Sequence, residues 1–355
     1  MYTYDIDPQA MFEDRTHQFQ RFGIPLADIN RVRAAVTDMW ANSPGGWVYE
    51  WSKLAESYTA AGDHGLAAYA YGCAKFPCLN TQARVDALDK QLEQYELAAK
   101  TFPVHFERRI LSVPYRGSEI EVPVHLFSAD GDYSARPALV AHGGVDTFKM
   151  DFHLFCLAFT MNAGVTTLTI DMPGTGESTV PLDVRGDELI AGIVAYARSI
   201  GDGRVAHFGL SFGGNFSAAS GLTELVDAAV NVGGPVLNSF TTDVAANLPY
   251  GMRDIVGNAM HFDHVPTLDE LADAMTDLSR KDLLSGRSNA PMLVINGADD
   301  YFVPQSDTLV FEGRPNTEVH LLEGTGHCAI SKVNEVIPMI NGWLAQQFAE
   351  SPPQG

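Results

Sequence analysis

At 355 residues, with 46% hydrophobic and 19% charged residues, the chain is long enough to bury one large core or a core with an appendage, and disorder is excluded as its default. Its formal net charge of −21 argues against a nucleic-acid partner and an anionic membrane surface, because an acidic face repels both. No apolar run has the length of a membrane span, the N-terminus Met1-Tyr2-Thr3-Tyr4-Asp5-Ile6-Asp7 lacks the regions of a signal peptide, and Cys73, Cys78, Cys156 and Cys328 show neither C-x-x-C nor zinc spacing. A cytoplasmic protein with reduced thiols and no metal is the expectation.

From about Pro8 to Lys100 the pattern is helical, with segments predicted at 27–40, 47–61, 65–75 and 81–99. Trp47, Trp51, Leu54, Ala55 and Tyr58 recur at three and four and form one apolar stripe, which suits a helix-to-helix core and also leaves a homodimer open. Composition changes after Thr101-Phe102-Pro103. Strands at 104–111 and 119–127 flank the turn-rich Pro114-Tyr115-Arg116-Gly117-Ser118, and then strands and helices alternate. Short apolar strands are predicted at 137–142, 165–171, 204–208, 228–232, 292–296 and 319–322, with helices at 152–162, 187–200, 306–311 and 333–347. This alternation predicts an α/β fold with a mostly parallel sheet and helices on both faces. Residues 1–103 form an N-terminal helical region, 104–236 with 290–348 the core, and 237–289, too long for a simple crossover, an inserted helical lid.

Function gathers at the carboxyl ends of such strands. Gly209-Leu210-Ser211-Phe212-Gly213 directly follows a strand and precedes a small-residue helix, the setting of a nucleophile elbow. Alone, this motif could be a glycine-rich turn with an idle serine. After the third strand, His142-Gly143-Gly144-Val145-Asp146 offers backbone N–H groups of Gly144 or Val145, which with that of Phe212 would make an oxyanion hole. Asp171-Met172-Pro173-Gly174-Thr175-Gly176-Glu177-Ser178 lacks the lysine of a P-loop and the spacing of a dinucleotide fingerprint. Asn296-Gly297-Ala298-Asp299-Asp300 offers two acids at a strand end, and spacing favours Asp300 over Asp299 as the partner of a histidine. His327, in Gly324-Thr325-Gly326-His327, is at a loop in the order Ser, Asp, His, whereas His320 lies inside the preceding strand.

Together these motifs resemble the α/β-hydrolase superfamily over roughly residues 104–348. The helical N-terminal region with Trp47 and Trp51, Asp171-Met172-Pro173, and Gly233-Gly234-Pro235-Val236 make the chain similar to the FrsA-like esterases and the 2,6-dihydroxypseudooxynicotine hydrolase group. The resemblance implies that the N-terminal helices cap the active site. It also implies that some relatives cleave carbon–carbon bonds beside a carbonyl, assisted by an extra acid after the sixth strand. Asp243 and Asp254 are the nearby acids, with Asp146 and Asp243 as auxiliary or substrate-contacting candidates.

The reading is a cofactor-free serine hydrolase with Ser211 as nucleophile, His327 as base and Asp300 as orienting acid. Its substrate is a partly apolar small molecule bearing a carbonyl, first an ester. A β-diketone or aryl ketone is the alternative, and an inactive binding protein of the same fold is a third.

Overall fold

The computed structural model describes residues 1–350, and contacts within it divide the chain into two units. One comprises Met1–Phe102 with Leu248–Thr267; the other comprises Pro103–Asn247 and the chain from Leu268 onward. The stretch 237–289, read from sequence as one lid, is thus divided, its middle part grouping with the N-terminal helices.

The first unit begins with α1 (Pro8–Arg21), α2 (Leu26–Ala35), α3 (Trp47–Ala61), α4 (His64–Lys75) and α5 (Gln82–Ala98). Of these, α1 was not predicted as a separate segment. Helix α2 stops at Ala35, short of the predicted Trp40. Gln9 donates to the carbonyls of Arg33 and Val36, and Asp38 accepts the N–H groups of Trp40 and Ala41, which turns the chain aside. Between α3 and α4, Gly62 takes the left-handed conformation at φ 78° and Asp63 caps Leu66 N–H at 3.1 Å. The Trp47 stripe is used up inside this unit: Phe12 lies 4.5 Å from Trp47, and Phe19 lies 5.1 Å from Trp51, ring to ring. Burying either indole contributes on the order of 4 kcal/mol. Trp47, Trp51, Leu54 and Ala55 are buried and Tyr58 is partly buried.

In the second unit, β1 (His105–Tyr115) and β2 (Ser118–Ser128) form a hairpin whose turn is only Arg116-Gly117, at φ 51° and 76°. Two left-handed residues suit the twist of an antiparallel pair. Then follow β3 (Ala138–His142), α6 (His153–Asn162), β4 (Thr166–Thr169), α7 (Gly186–Ile200), β5 (Val205–Leu210), α8 (Gly213–Leu222) and β6 (Ala228–Val232). After β6 come α9 (Thr242–Asn247), α10 (Met252–Ala259, in the first unit), α11 (Leu268–Thr276) and α12 (Lys281–Ser285). The fold closes with β7 (Met292–Gly297), α13 (Gln305–Leu309), β8 (Thr317–Leu322) and α14 (Val333–Glu350).

The eight strands make one sheet in the order β1-β2-β4-β3-β5-β6-β7-β8, parallel from β4 to β8. Every residue of β3, β4, β5, β6 and β7 is buried, as strands covered on both faces require. The helices pack as pairs, α6 with α14 and α7 with α8. No helix among the described residues is long and apolar enough to cross a membrane.

Candidate active site

Strand β5 runs between β3 and β6 and delivers Ser211 at its carboxyl end. Ser211 has φ 55°, a left-handed conformation that costs a non-glycine residue energy and that its surroundings must enforce. They do so through Ser211 N–H donating to Val232 O and Gly214 N–H donating to Ser211 O, each at 2.8 Å. The flanking glycines answer to space: a Cβ on Gly209 would lie 2.1 Å from the Gly213 carbonyl oxygen. One on Gly213 would lie 2.4 Å from Gly143 O and 2.5 Å from His142 Nδ1.

From the loop after β8, His327 reaches Ser211 Oγ with Nε2 at 2.8 Å, and its Nδ1–H donates to Asp300 Oδ2 at 2.7 Å. The Asp300 side chain is fully buried. Its remaining acceptor sites take Asn296 Nδ2 at 2.9 Å and the N–H groups of Phe302 and Val303 at 2.8 and 3.2 Å. Burial pushes this carboxyl up, but the bonds from His327, Asn296 and Phe302 outweigh it and leave Asp300 below the ordinary carboxylate range. For His327, burial opposes the charged form. The neighbouring Cys328 sulfur and the Asp300 carboxylate act the other way and hold the imidazole well above its usual value. Cys328 and Ala329 follow at φ 56° and 48°, and Cys328 N–H is anchored on Asn296 Oδ1 at 3.0 Å. Asn296 thus braces both the acid and the histidine loop. The Phe302 ring meets the His327 ring edge-on at 5.1 Å.

The loop after β3 passes directly beside the serine. A Cβ on Gly144 would lie 2.8 Å from Ser211 Cβ, 2.9 Å from its Oγ and 3.2 Å from Phe212 N. Phe212 N–H opens α8, where the first amides lack intrahelical acceptors. Val145 and Asp146 continue the loop, both buried, and the Thr147 hydroxyl donates to Asp146 Oδ1 at 3.3 Å. The structure therefore joins Ser211, His327 and Asp300 by hydrogen bonds and sets Gly144 and Phe212 beside the serine.

Other candidates lie elsewhere. Asp243 is exposed on α9, its backbone carbonyl accepting from Asn247, and has no hydrogen bond to the serine or the histidine. Asp254 lies on α10 in the first unit, where burial raises its carboxyl. Asp299 is exposed and bonds through its backbone to Thr325. His320 lies in β8 and is partly exposed. All four cysteines are buried and none forms a disulfide. Among the described residues no cluster of three or more His, Cys, Asp or Glu is placed to hold a metal.

Three supports were not legible in the sequence. Asn296 reads as the last residue of a strand. Lys149, fully buried, donates to Asp171 and, at 2.6 Å, to Glu177, which also accepts from Arg108 at 2.6 Å. Lys149 and Asp171 are buried while Arg108 and Glu177 are partly exposed, and the two cations face two carboxylates across the loops after β3 and β4. Gly176 is required there, since a Cβ would lie 2.2 Å from the Asp171 carboxylate. Asp307, also fully buried, accepts the N–H groups of Val236, Leu237, Asn238 and Ser239. Just beyond, the Phe240 ring faces Phe212 at 6.2 Å. Asp307 lies in the first turn of the polar α13, Gln305-Ser306-Asp307-Thr308-Leu309, where an acid is ordinary, so the sequence carried no signal for it.

Residues 28–344 match the family described as Esterase FrsA-like. Esterase FrsA of Escherichia coli O139:H28 (strain E24377A / ETEC) is 25% identical over 367 aligned positions, spanning 97% of this chain and 85% of that protein. Esterase FrsA of Shigella boydii serotype 18 (strain CDC 3083-94 / BS512) aligns to the same extent. Among solved structures, wild-type AbyA5 superposes with a TM-score of 0.73 at 21% identity, covering 91% of this chain and 94% of that one. The 2,6-dihydroxy-pseudo-oxynicotine hydrolase gives 0.72 at 20% identity, covering 95% and 97%. At such identities the structural likeness carries the fold alone.

Proposed function

The chain belongs to the FrsA-like esterase family of α/β-hydrolase enzymes, and from that premise we propose that it hydrolyses carboxylic esters through Ser211, His327 and Asp300. The observation that carries this reading is the unbroken hydrogen-bond chain from Ser211 Oγ through both His327 nitrogens to the Asp300 carboxylate. Neutral His327 takes the hydroxyl proton at Nε2 as Ser211 Oγ attacks the substrate carbonyl. Asp300 holds the Nδ1–H tautomer and stabilises the imidazolium that forms. The developing oxyanion is received by the N–H of Phe212 and by that of Gly144 or Val145. His327 then returns its proton to the departing alkoxide, and water, activated by the same imidazole, releases the acid. Phe212, Phe240 and Phe302 near the serine and histidine support a partly apolar substrate.

A second reading, hydrolysis of a carbon–carbon bond in a β-diketone or aryl ketone, draws support from the likeness to the 2,6-dihydroxy-pseudo-oxynicotine hydrolase. The exposure of Asp243 weakens it. Steady-state assays with p-nitrophenyl butyrate and with benzoylacetone separate the two. Ester turnover that Ser211→Ala abolishes is expected. Cleavage of benzoylacetone by an enzyme inert toward the ester transfers the assignment to the second reading, and inertness toward both overturns the hydrolase proposal.

A further inference from the structure

Beneath the serine lies a buried chain of side chains that the proposed reaction does not use. Ser220 Oγ lies 2.8 Å from His207 Nδ1, His207 Nε2 lies 2.9 Å from His142 Nε2, and His142 Nδ1 lies 3.2 Å from the carbonyl oxygen of Gly143. Both histidines are fully buried, on adjacent strands β5 and β3.

Only one arrangement of protons satisfies every contact while both rings are neutral. A carbonyl can only accept, so His142 must carry its proton on Nδ1. Its Nε2 then presents a lone pair, so His207 Nε2 must donate, leaving His207 Nδ1 to accept from the Ser220 hydroxyl. Burial favours neutral rings: His142 is pushed down to about 4, and His207 well below the ordinary imidazole value. The bonds therefore run in one direction, from Ser220 to the Gly143 carbonyl.

That carbonyl shares a planar trans peptide with Gly144 N–H, and the two groups point in opposite directions. Gly144 is the residue on which a Cβ would lie 2.8 Å from Ser211 Cβ. The geometry points to His142, backed by His207 and Ser220, as a positioning relay that fixes and polarises the Gly143–Gly144 peptide so that its N–H is held as an oxyanion donor. Aligned hydrogen bonds strengthen one another, so a donor at the carbonyl makes the N–H of the same peptide a better one. The space at Gly213 belongs to the same device, because a Cβ there would strike both Gly143 O and His142 Nδ1.

This inference rests on the serine-hydrolase reading, and two measurements test it. Long-range 1H–15N NMR of the wild-type protein should show His142 protonated at Nδ1 and His207 at Nε2, both neutral; the reverse tautomers, or a charged ring, overturn the relay. In kinetics, His142→Leu should lower kcat at least 10-fold with KM within about 2-fold, and should weaken a trifluoromethyl ketone inhibitor by a similar factor. His142→Asn, whose Nδ2 can stand in for Nδ1, should recover most of that loss. Equal kcat in His142→Leu and wild type, or an Asn variant no better than a folded Leu variant, contradicts the relay. If wild type itself neither turns over esters nor reacts at Ser211, the hydrolase reading falls instead. Should the Leu variant fail to fold, the wild-type tautomers decide.

Discussion

The Asp307 carboxylate accepts the backbone N–H of Val236 at 2.8 Å, fixing the course of the chain as it leaves β6. The carbonyl of the same Val236 accepts from Arg280 N–H at 2.8 Å, so the outgoing and returning limbs of the excursion after β6 are clasped at one residue. Arg280 is held in turn by Asp187 at 2.6 and 2.8 Å and by Asn215, two residues into α8. Replacing Asp307 by Ala leaves the buried N–H groups of Val236 and Ser239 and the partly buried one of Leu237 without an acceptor. Each costs about 1–3 kcal/mol, so urea unfolding should show a loss of roughly 3 kcal/mol or more. A loss below about 1 kcal/mol would show that the clasp is dispensable.

Asp300→Asn should preserve the fold while removing the charge that holds His327 in its working tautomer. We expect kcat for p-nitrophenyl butyrate to fall by about 10^3-fold or more with little change in KM. A loss confined to KM would assign Asp300 to substrate binding.

The raised pKa of His327 fixes the sign of the pH response. Catalysis needs the neutral imidazole, so kcat/KM should fall as pH drops through the His327 pKa. That acid limb should lie above the ordinary histidine value of about 6.5. In Asp300→Asn the residual activity should show the limb moved to lower pH. A wild-type midpoint at or below about pH 6 would contradict the cause assigned to the shift.

Gly144→Ala should test the proposed oxyanion site. The new methyl would stand 2.9 Å from Ser211 Oγ and 3.2 Å from Phe212 N, in the space the oxyanion needs. Because that methyl would also lie 2.8 Å from Ser211 Cβ, we expect kcat/KM to drop at least 100-fold in the folded variant together with a lowered melting temperature. Retained activity would move the oxyanion site away from Gly144.

Much of this arrangement was legible in the chain because it is local. Buried parallel strands read as short apolar runs, and Ser211, Asp300 and His327 each sit in a glycine-bearing loop just past such a run. The end of α2 was not legible, since Gln9 and Asp38 override a continuing helical pattern through contacts that periodicity does not encode. The division of 237–289 was hidden for a similar reason. Asn258 pairs with both the N–H and the carbonyl of Tyr2, across 256 positions of sequence. Lys149, His207 and Asp307 escaped because a lone charged or titratable residue is ordinary in sequence; only the fold reveals that each is buried and what it faces.

The central claim is that Ser211 is an activated nucleophile, and intact-mass analysis after fluorophosphonate treatment tests it most directly. A single adduct on the wild-type protein and none on folded Ser211→Ala is the predicted result. A folded wild type that stays unlabelled by a small, unhindered fluorophosphonate, or a mutant that labels equally well, would contradict it.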